Sequence, residues 1–141
     1  GTAEKVDTQA PRPFAQFAFD TDYGHFDLAQ GEYFIPLLSM GCEHCRAAVP
    51  AINALQFLPG MPPVVALCYE ESEGLYEEFA ALTHPEVPMH NMGDQTLLFF
   101  NLLGDADEPP RFVLSRDGAE IAAWNEHPPE FTQIQPHQAP Q

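Results

Sequence analysis

Two cysteines separated by two residues are the side chains of this sequence best suited to chemistry. Cys42 and Cys45 lie in the segment SMGCEHCRAAVP, residues 39–50, of a chain of 141 residues. A CxxC pair can clamp a metal ion, form a structural disulfide, or act as a reactive dithiol that exchanges disulfides. The elements that position the pair must decide among these alternatives.

The cysteines fall inside a predicted strand–helix–strand unit. The apolar run YFIPLLS, residues 33–39, is typical of a strand buried on both faces, and residues 42–58 read as a helix ended by Pro59-Gly60. The run VVALCY, residues 64–69, predicts a second buried strand, so the two strands are expected to be parallel. Pro36 has no N–H, which predicts a bulge or a gap in the pairing of the first strand.

The remaining elements extend this unit into an α/β fold. Asp117-Gly118 marks the turn of an antiparallel hairpin. A mixed central β-sheet flanked by helices on both faces follows from parallel strands combined with this hairpin. The other predicted elements are a strand at 14–19, helices at 73–84 and 95–103, and the hairpin strands at 111–115 and 120–124.

We expect one domain, at residues 14–126, because a chain of this length builds a single core. Residues 1–13 read as a flexible leader, and residues 127–141 as an irregular tail rich in Pro and Gln. No run of 18 apolar residues occurs, and the chain starts at Gly1 without an initiator Met. Any signal peptide or membrane anchor is therefore expected upstream.

The chain is strongly acidic, with 5 Lys and Arg against 21 Asp and Glu and a formal charge of −16. Nucleic acid is excluded as a partner, since its phosphates would be repelled. The acidity serves either as a solvated surface or as a field that steers a basic partner.

A position in the first turn of a helix would make Cys42 the more reactive thiol. Unpaired N–H groups and the positive end of the helix dipole favour its thiolate, while Cys45 lies one turn deeper. Cys42 is thus expected to attack and Cys45 to resolve. A protonated His44 and the nearby Arg46 would lower the pKa of Cys42, and Glu43 would raise it.

A metal site is the alternative use of the pair. Zinc would need two further ligands at matching spacing, and the sequence has no second CxxC and no HxxxH. Cys42, Cys45 and His44 together with a distant His would suit copper(I) or zinc. Cys68 is expected in the core, and Met89, His90 and Met92 are expected in a loop that shields an apolar edge.

The arrangement of these motifs resembles the thioredoxin superfamily. The matching features are a strand, CxxC at a helix start, Pro50 five residues after Cys45, and Pro110 before the strand RFVLS and the Asp117-Gly118 turn. The opening segment, FAFDTDYGHFDLAQGEYFIPLLS, is similar to the TlpA/ResA-like extracytoplasmic branch. The resemblance implies a thioredoxin-like fold, with Pro110 as a cis-proline facing the CxxC and Pro109 offering backbone bonds to a bound peptide.

The same resemblance implies a thiol-disulfide oxidoreductase that acts on protein thiols and disulfides outside the cytoplasm. It would use the redox-active disulfide Cys42–Cys45, no metal or organic cofactor, and a membrane redox partner. The ResA-like pattern favours a reductant, whereas His44 favours an oxidant. The rival interpretation is a non-enzymatic accessory or copper-delivery module. The sequence departs from the family pattern at Gly41, where a Trp is usual.

Overall fold

The structure is a computed structural model that describes residues 11–140. Its elements alternate between strands and helices along the chain, as the sequence predicts. The strands are β1 (Ala18–Thr21), β2 (Gly24–Asp27), β3 (Glu32–Ser39), β4 (Ala66–Tyr69), β5 (Met89–Asn91), β6 (Arg111–Arg116) and β7 (Ala119–Asn125). The helices are α1 (Glu43–Leu55), α2 (Leu75–Thr83), α3 (Thr96–Leu103) and α4 (Phe131–Ile134).

Five strands form one mixed sheet in the order β5-β4-β3-β6-β7. The β3, β4 and β5 strands are parallel, while β6 is antiparallel to β3 and to β7. β1 and β2 form a separate antiparallel hairpin. The predicted parallel unit and the hairpin around Asp117-Gly118 are both confirmed, and β3 is the central strand of the sheet.

Two apolar cores cover the two faces of the sheet. Successive side chains of β3 alternate between them, because a strand turns its residues to opposite faces: Phe34 and Leu38 belong to one core, Ile35 and Leu37 to the other. Buried residues of α1, α2 and α4 pack in the first core, and buried residues of α3 and the β1 strand pack in the second. The predicted sheet with helices on both faces is therefore confirmed.

The pairing of β3 with β4 is interrupted where Pro36 stands. The N–H of Phe34 bonds the Pro63 carbonyl and the N–H of Val65 bonds the Phe34 carbonyl, so the next donor on this side of β3 would be residue 36. Proline has no N–H to supply. The Phe34–Val64 contact is accordingly an isolated bridge, and the regular ladder resumes at Leu37. Pro36 thus faces a gap in pairing, one of the two outcomes that the sequence predicts.

Two segments differ from the sequence-based expectation near the β5 edge. Residues 13–16 form a turn, and the first strand begins only at Ala18. The segment Met89–Asn91, expected as loop, is strand β5 and pairs with β4. A strand of three residues is too short to show alternation, so only pairing with its neighbour reveals it.

The tail forms two short helical segments and packs on the domain over residues 127–140, contrary to our expectation of an irregular segment. Glu130 and Gln133 form a capping box at the start of α4, which satisfies backbone donors at the helix N-terminus. Ile134 is fully buried in the core beneath α1. Farther on, the Ala139 N–H donates to Glu32 at 2.8 Å. One apolar side chain and several backbone bonds therefore hold residues that composition alone marks as irregular.

The predicted flexible leader falls mostly on residues 1–10, which lie outside the described residues. Its last residues are held against the domain. The Arg12 guanidinium donates to the carbonyl oxygens of Asp117 and Ala29, at 2.6 and 3.1 Å. The N–H of Phe14 donates to the Gly118 carbonyl at 2.9 Å, so the β6–β7 turn fixes the entry of the chain into the fold.

Candidate active site

Cys42 is the N-cap residue of α1, immediately after the central strand β3. Its backbone is extended, with φ −88° and ψ 122°, and the helix begins at Glu43. The Cys42 sulfur accepts the N–H of Cys45 at 3.3 Å. A thiol thereby takes the capping position that Ser, Thr or Asp usually fills, and it meets donors that the first helical turn leaves unpaired.

The surroundings of Cys42 favour its thiolate. Its pKa is lowered to about 6, chiefly because the Cys45 side chain hydrogen-bonds to it. The backbone N–H groups of Cys45 and His44 and the positive charge of His44 act in the same direction, while partial burial opposes them. The Cys42 side chain is half-buried, which leaves the sulfur open to a reaction partner.

Cys45 has the opposite properties. It is fully buried, and burial raises its pKa well above that of an ordinary thiol, with a further rise because it donates to Cys42. Its sulfur accepts the N–H of Ser39 at 3.4 Å. The two sulfurs therefore differ in access and in pKa: Cys42 is half-buried with a lowered pKa, and Cys45 is fully buried with a raised pKa.

The loop that precedes β6 lies against the Cys42 sulfur. The Pro109 carbonyl oxygen is 3.7 Å from it, and the peptide bond between Pro109 and the buried Pro110 is cis. Beside this contact is an open groove of about 290 Å³. Its lining residues are His44, Ala106, Glu108, Pro109, Asn125 and Glu126.

The structure brings the predicted site residues together at one end of the sheet, with one of them turned outward. Cys42 contacts both Cys45 and Pro109, and His44 lines the groove. Glu43 is exposed and is not among the groove residues. The geometry thus places His44 at the groove beside Cys42 and leaves Glu43 outside it.

One residue of the site is not identifiable from sequence. The Glu71 carboxylate accepts the N–H groups of Met40 and Gly41, at 3.0 and 2.7 Å, just before Cys42. Glu71 stands in an acidic run with Glu70 and Glu73, and composition alone does not connect this run to the CxxC pair. No spacing rule connects the end of β3 to the loop after β4, so this contact appears only in three dimensions.

Other candidate ligands stand apart from the CxxC pair. The Cys68 sulfur is buried in β4 and 3.9 Å from the Met89 sulfur, and the His90 ring stacks on Phe19 with centroids 4.1 Å apart. Burial raises the pKa of Cys68 and lowers that of His90. Within residues 11–140, no group of three or more His, Cys, Asp or Glu side chains is arranged to hold a metal ion.

Solved structures match nearly the whole chain. A secreted disulfide oxidoreductase of Mycobacterium tuberculosis is 16% identical and superposes with a TM-score of 0.64, over 90% of this chain and 97% of its own. The protein has a thioredoxin-like fold. This fold accounts for the order of the strands in the sheet and for the position of α1 directly after the central strand.

Further structures with the thioredoxin-like fold match over similar lengths. The MTB protein DsbF is 11% identical with a TM-score of 0.66, over 89% of this chain and 95% of its own. A secreted thiol-disulfide isomerase from Corynebacterium glutamicum is 13% identical with a TM-score of 0.58, over 86% and 80%. No family model and no curated protein matches the sequence. Among the described residues, no helix is long and apolar enough to cross a membrane.

Proposed function

We propose that the protein is a thiol-disulfide oxidoreductase that exchanges disulfides with protein substrates through Cys42 and Cys45. The observation that carries this proposal is the asymmetry of the two sulfurs. Cys42 caps a helix, is partly accessible and has a pKa lowered to about 6, whereas Cys45 is fully buried. The backbone N–H of Cys45 donates to the Cys42 sulfur at 3.3 Å. A structural disulfide has no need of such a difference, but a nucleophile and its resolving thiol do.

The reaction in the reducing direction has two exchange steps. The Cys42 thiolate attacks one sulfur of a substrate disulfide, a mixed disulfide forms, and the other substrate sulfur leaves as a thiolate. Cys45 then attacks the Cys42 sulfur and loses its proton to the leaving substrate thiolate. The Cys42–Cys45 disulfide forms and the substrate ends with two reduced sulfurs. The oxidising direction runs through the same steps in reverse.

The groove beside Cys42 is the proposed binding place for the substrate backbone. In proteins that resemble this one, the residue before the cis-proline offers backbone bonds to a bound peptide. Pro109 has only its carbonyl to offer, because proline carries no N–H. We therefore propose that the substrate donates an N–H to the Pro109 oxygen, which already lies 3.7 Å from the attacking sulfur, and that Pro110 shapes the floor of the groove.

The proposal places this chemistry outside the cytoplasm. Two of the matching structures are of secreted proteins, and disulfides persist in oxidising compartments. The dithiol itself supplies both electrons, so the reaction needs no metal or organic cofactor. A separate redox partner must restore the pair after each turnover, and a membrane protein is the partner we propose, by analogy with the TlpA/ResA-like branch.

Reduction of insulin disulfides by dithiothreitol, followed by turbidity, tests this function. The protein is expected to accelerate the reaction, and Cys42→Ser is expected to abolish the acceleration. Cys45→Ser should retain the attack but accumulate a mixed disulfide that mass spectrometry detects. Cys68→Ala is the matched control, since it removes a thiol outside the site, and it should retain activity.

The rival function, copper delivery without turnover, gives the opposite results in the same preparation. A folded protein that carries one copper(I) per chain on isolation and does not accelerate insulin reduction would refute the enzymatic proposal. Cys42→Ser would then abolish metal binding, because two thiolates are the soft ligands that copper(I) prefers.

A further inference from the structure

The last two backbone N–H groups before Cys42 are both bound by one carboxylate from another part of the fold. Met40 shares its N–H between Oε1 of Glu71 and the Tyr69 carbonyl, each at 3.0 Å, and Gly41 donates to Oε2 of Glu71 at 2.7 Å. Glu71 lies between β4 and α2, 30 residues after Gly41. We call this arrangement, the Glu71 carboxylate on the N–H groups of Met40 and Gly41, the Glu71 clamp.

The clamp completes the bonding of the turn that sets both sulfurs. The N–H of Cys42 donates to the Ser39 carbonyl at 3.2 Å, and the N–H of Ser39 donates to the Cys45 sulfur at 3.4 Å. On the opposite side, Nε of Arg46 donates to the Met40 carbonyl at 3.4 Å. Charged groups therefore bind the turn at residues 39–42 from two directions, and charge-assisted bonds are the stronger kind.

Gly41 is the residue that makes room for the clamp. A Cβ at position 41 would stand 2.6 Å from Oε2 of Glu71, closer than two nonbonded atoms can approach. The backbone of Gly41 does not lie in the left-handed region, so space rather than conformation requires glycine here. A side chain at position 41 and the clamp exclude each other, which also accounts for glycine at the position where the family usually has Trp.

We propose that Glu71 is a positioning residue for the exchange reaction, because its clamp holds residues 39–42 in the geometry that seats the Cys42 sulfur at the start of α1. This inference rests on the proposed function for its role in catalysis. Within the described residues, the bonds of Glu71 reach Met40 and Gly41 and neither sulfur. Glu71 therefore acts through the backbone.

The variant Gly41→Ala isolates this effect. The added Cβ meets the far end of a flexible side chain, so the carboxylate can move aside and the chain can still fold, yet the movement breaks the bond from Gly41. The negative charge of Glu71 is retained. With the turn loosened, the N–H groups of Cys45 and His44 no longer aim at the Cys42 sulfur, and the thiolate loses stabilisation.

The test is a titration of the Cys42 thiolate by its ultraviolet absorbance in the reduced protein. Gly41→Ala is expected to raise the pKa of Cys42 by about one unit, which is about tenfold less thiolate at pH values below both pKa values. Glu71→Ala should raise it by less, because removing the carboxylate charge near the thiolate opposes the rise. The double variant should match Glu71→Ala alone, because both changes remove the same clamp. Glu73→Ala, which removes a charge from the same loop, should not raise this pKa.

The results that would overturn the inference are specific. An unchanged pKa of Cys42 in folded Gly41→Ala, or shifts that add in the double variant, would show that the clamp does not position the sulfur. The titration needs no turnover. An inactive wild-type protein would therefore refute the proposed function while the thiolate measurement still decides the role of Glu71.

Discussion

At the scale of single residues, the site depends on one thiol in a capping position and another in the core. Both are cysteines of one tetrapeptide, yet the pKa of Cys42 is lowered to about 6 by hydrogen bonds while burial raises that of Cys45. The sequence predicts this order of reactivity from the helix start alone. The carboxylate of Glu71 on the adjoining turn could not be predicted, because its partners are backbone groups of another element.

The lowered pKa of Cys42 predicts a pH-dependent stability for the reduced protein. Between about pH 6 and pH 9 the folded state has released a proton that the unfolded state still holds. The free energy of unfolding should therefore rise with pH across this window, and the stabilisation from the Cys42 thiolate should be lost as the pH falls towards 6. Urea unfolding of the reduced protein at a series of pH values measures this free energy.

The control for this pH dependence is Cys42→Ser, which has no thiol to titrate. The buried Cys45 and Cys68 stay protonated in the folded state and ionise in the unfolded state only towards about pH 9, so they reduce the slope at the upper end of the window, and they do so equally in Cys42→Ser. A slope of equal size in Cys42→Ser would assign the pH dependence to other groups and contradict a thiolate-stabilising site.

At the scale of elements, long apolar runs identified the strands and helices that hold the site. The predictions for β3, β4, α1 and the β6–β7 hairpin are confirmed because each pattern extends over several residues. The β5 strand was missed, since three residues show no alternation and only a neighbouring strand defines them. The α4 helix was missed because its single buried residue, Ile134, lies among Pro and Gln.

Ile134 is expected to make α4 part of the folding unit. Ile134→Ala should lower the free energy of unfolding by about 2–4 kcal/mol, because it opens a cavity in a fully buried site. Thr132→Ala, on the exposed side of the same helix, should change it by less than about 0.5 kcal/mol. Denaturant unfolding of both variants makes the comparison, and equal effects would mean that α4 does not pack as described.

Over the whole molecule, few positive side chains balance the negative charge of the surface. Two arginines of the described chain pair with carboxylates, Arg111 with Glu120 and Arg116 with Glu32. Arg12 and Arg46 instead bind backbone carbonyls. Most of the described acidic side chains therefore have no basic partner and create a negative electrostatic field around the protein. Glu108 and Glu126 line the groove beside Cys42, so this field extends to the groove.

This field should make the exchange rate depend on the charge of the substrate. A peptide disulfide flanked by Lys is expected to react faster than one flanked by Glu at low salt, by about tenfold or more. The difference in rate should nearly vanish when the salt concentration is raised from about 0.01 M to about 1 M, because salt screens surface charges. Stopped-flow measurement of both peptides tests it, and equal rates at low salt would show that the acidity is only a solvated surface.

Alkylation of the reduced protein across a pH series, with each cysteine quantified by mass spectrometry, tests whether Cys42 is the ionised nucleophile of the pair. We expect the alkylation rate at Cys42 to follow a single titration with a midpoint of about 6, while Cys45 stays nearly unreactive up to about pH 9. Equal rates at the two cysteines, or a midpoint for Cys42 near that of a free thiol, would refute this role.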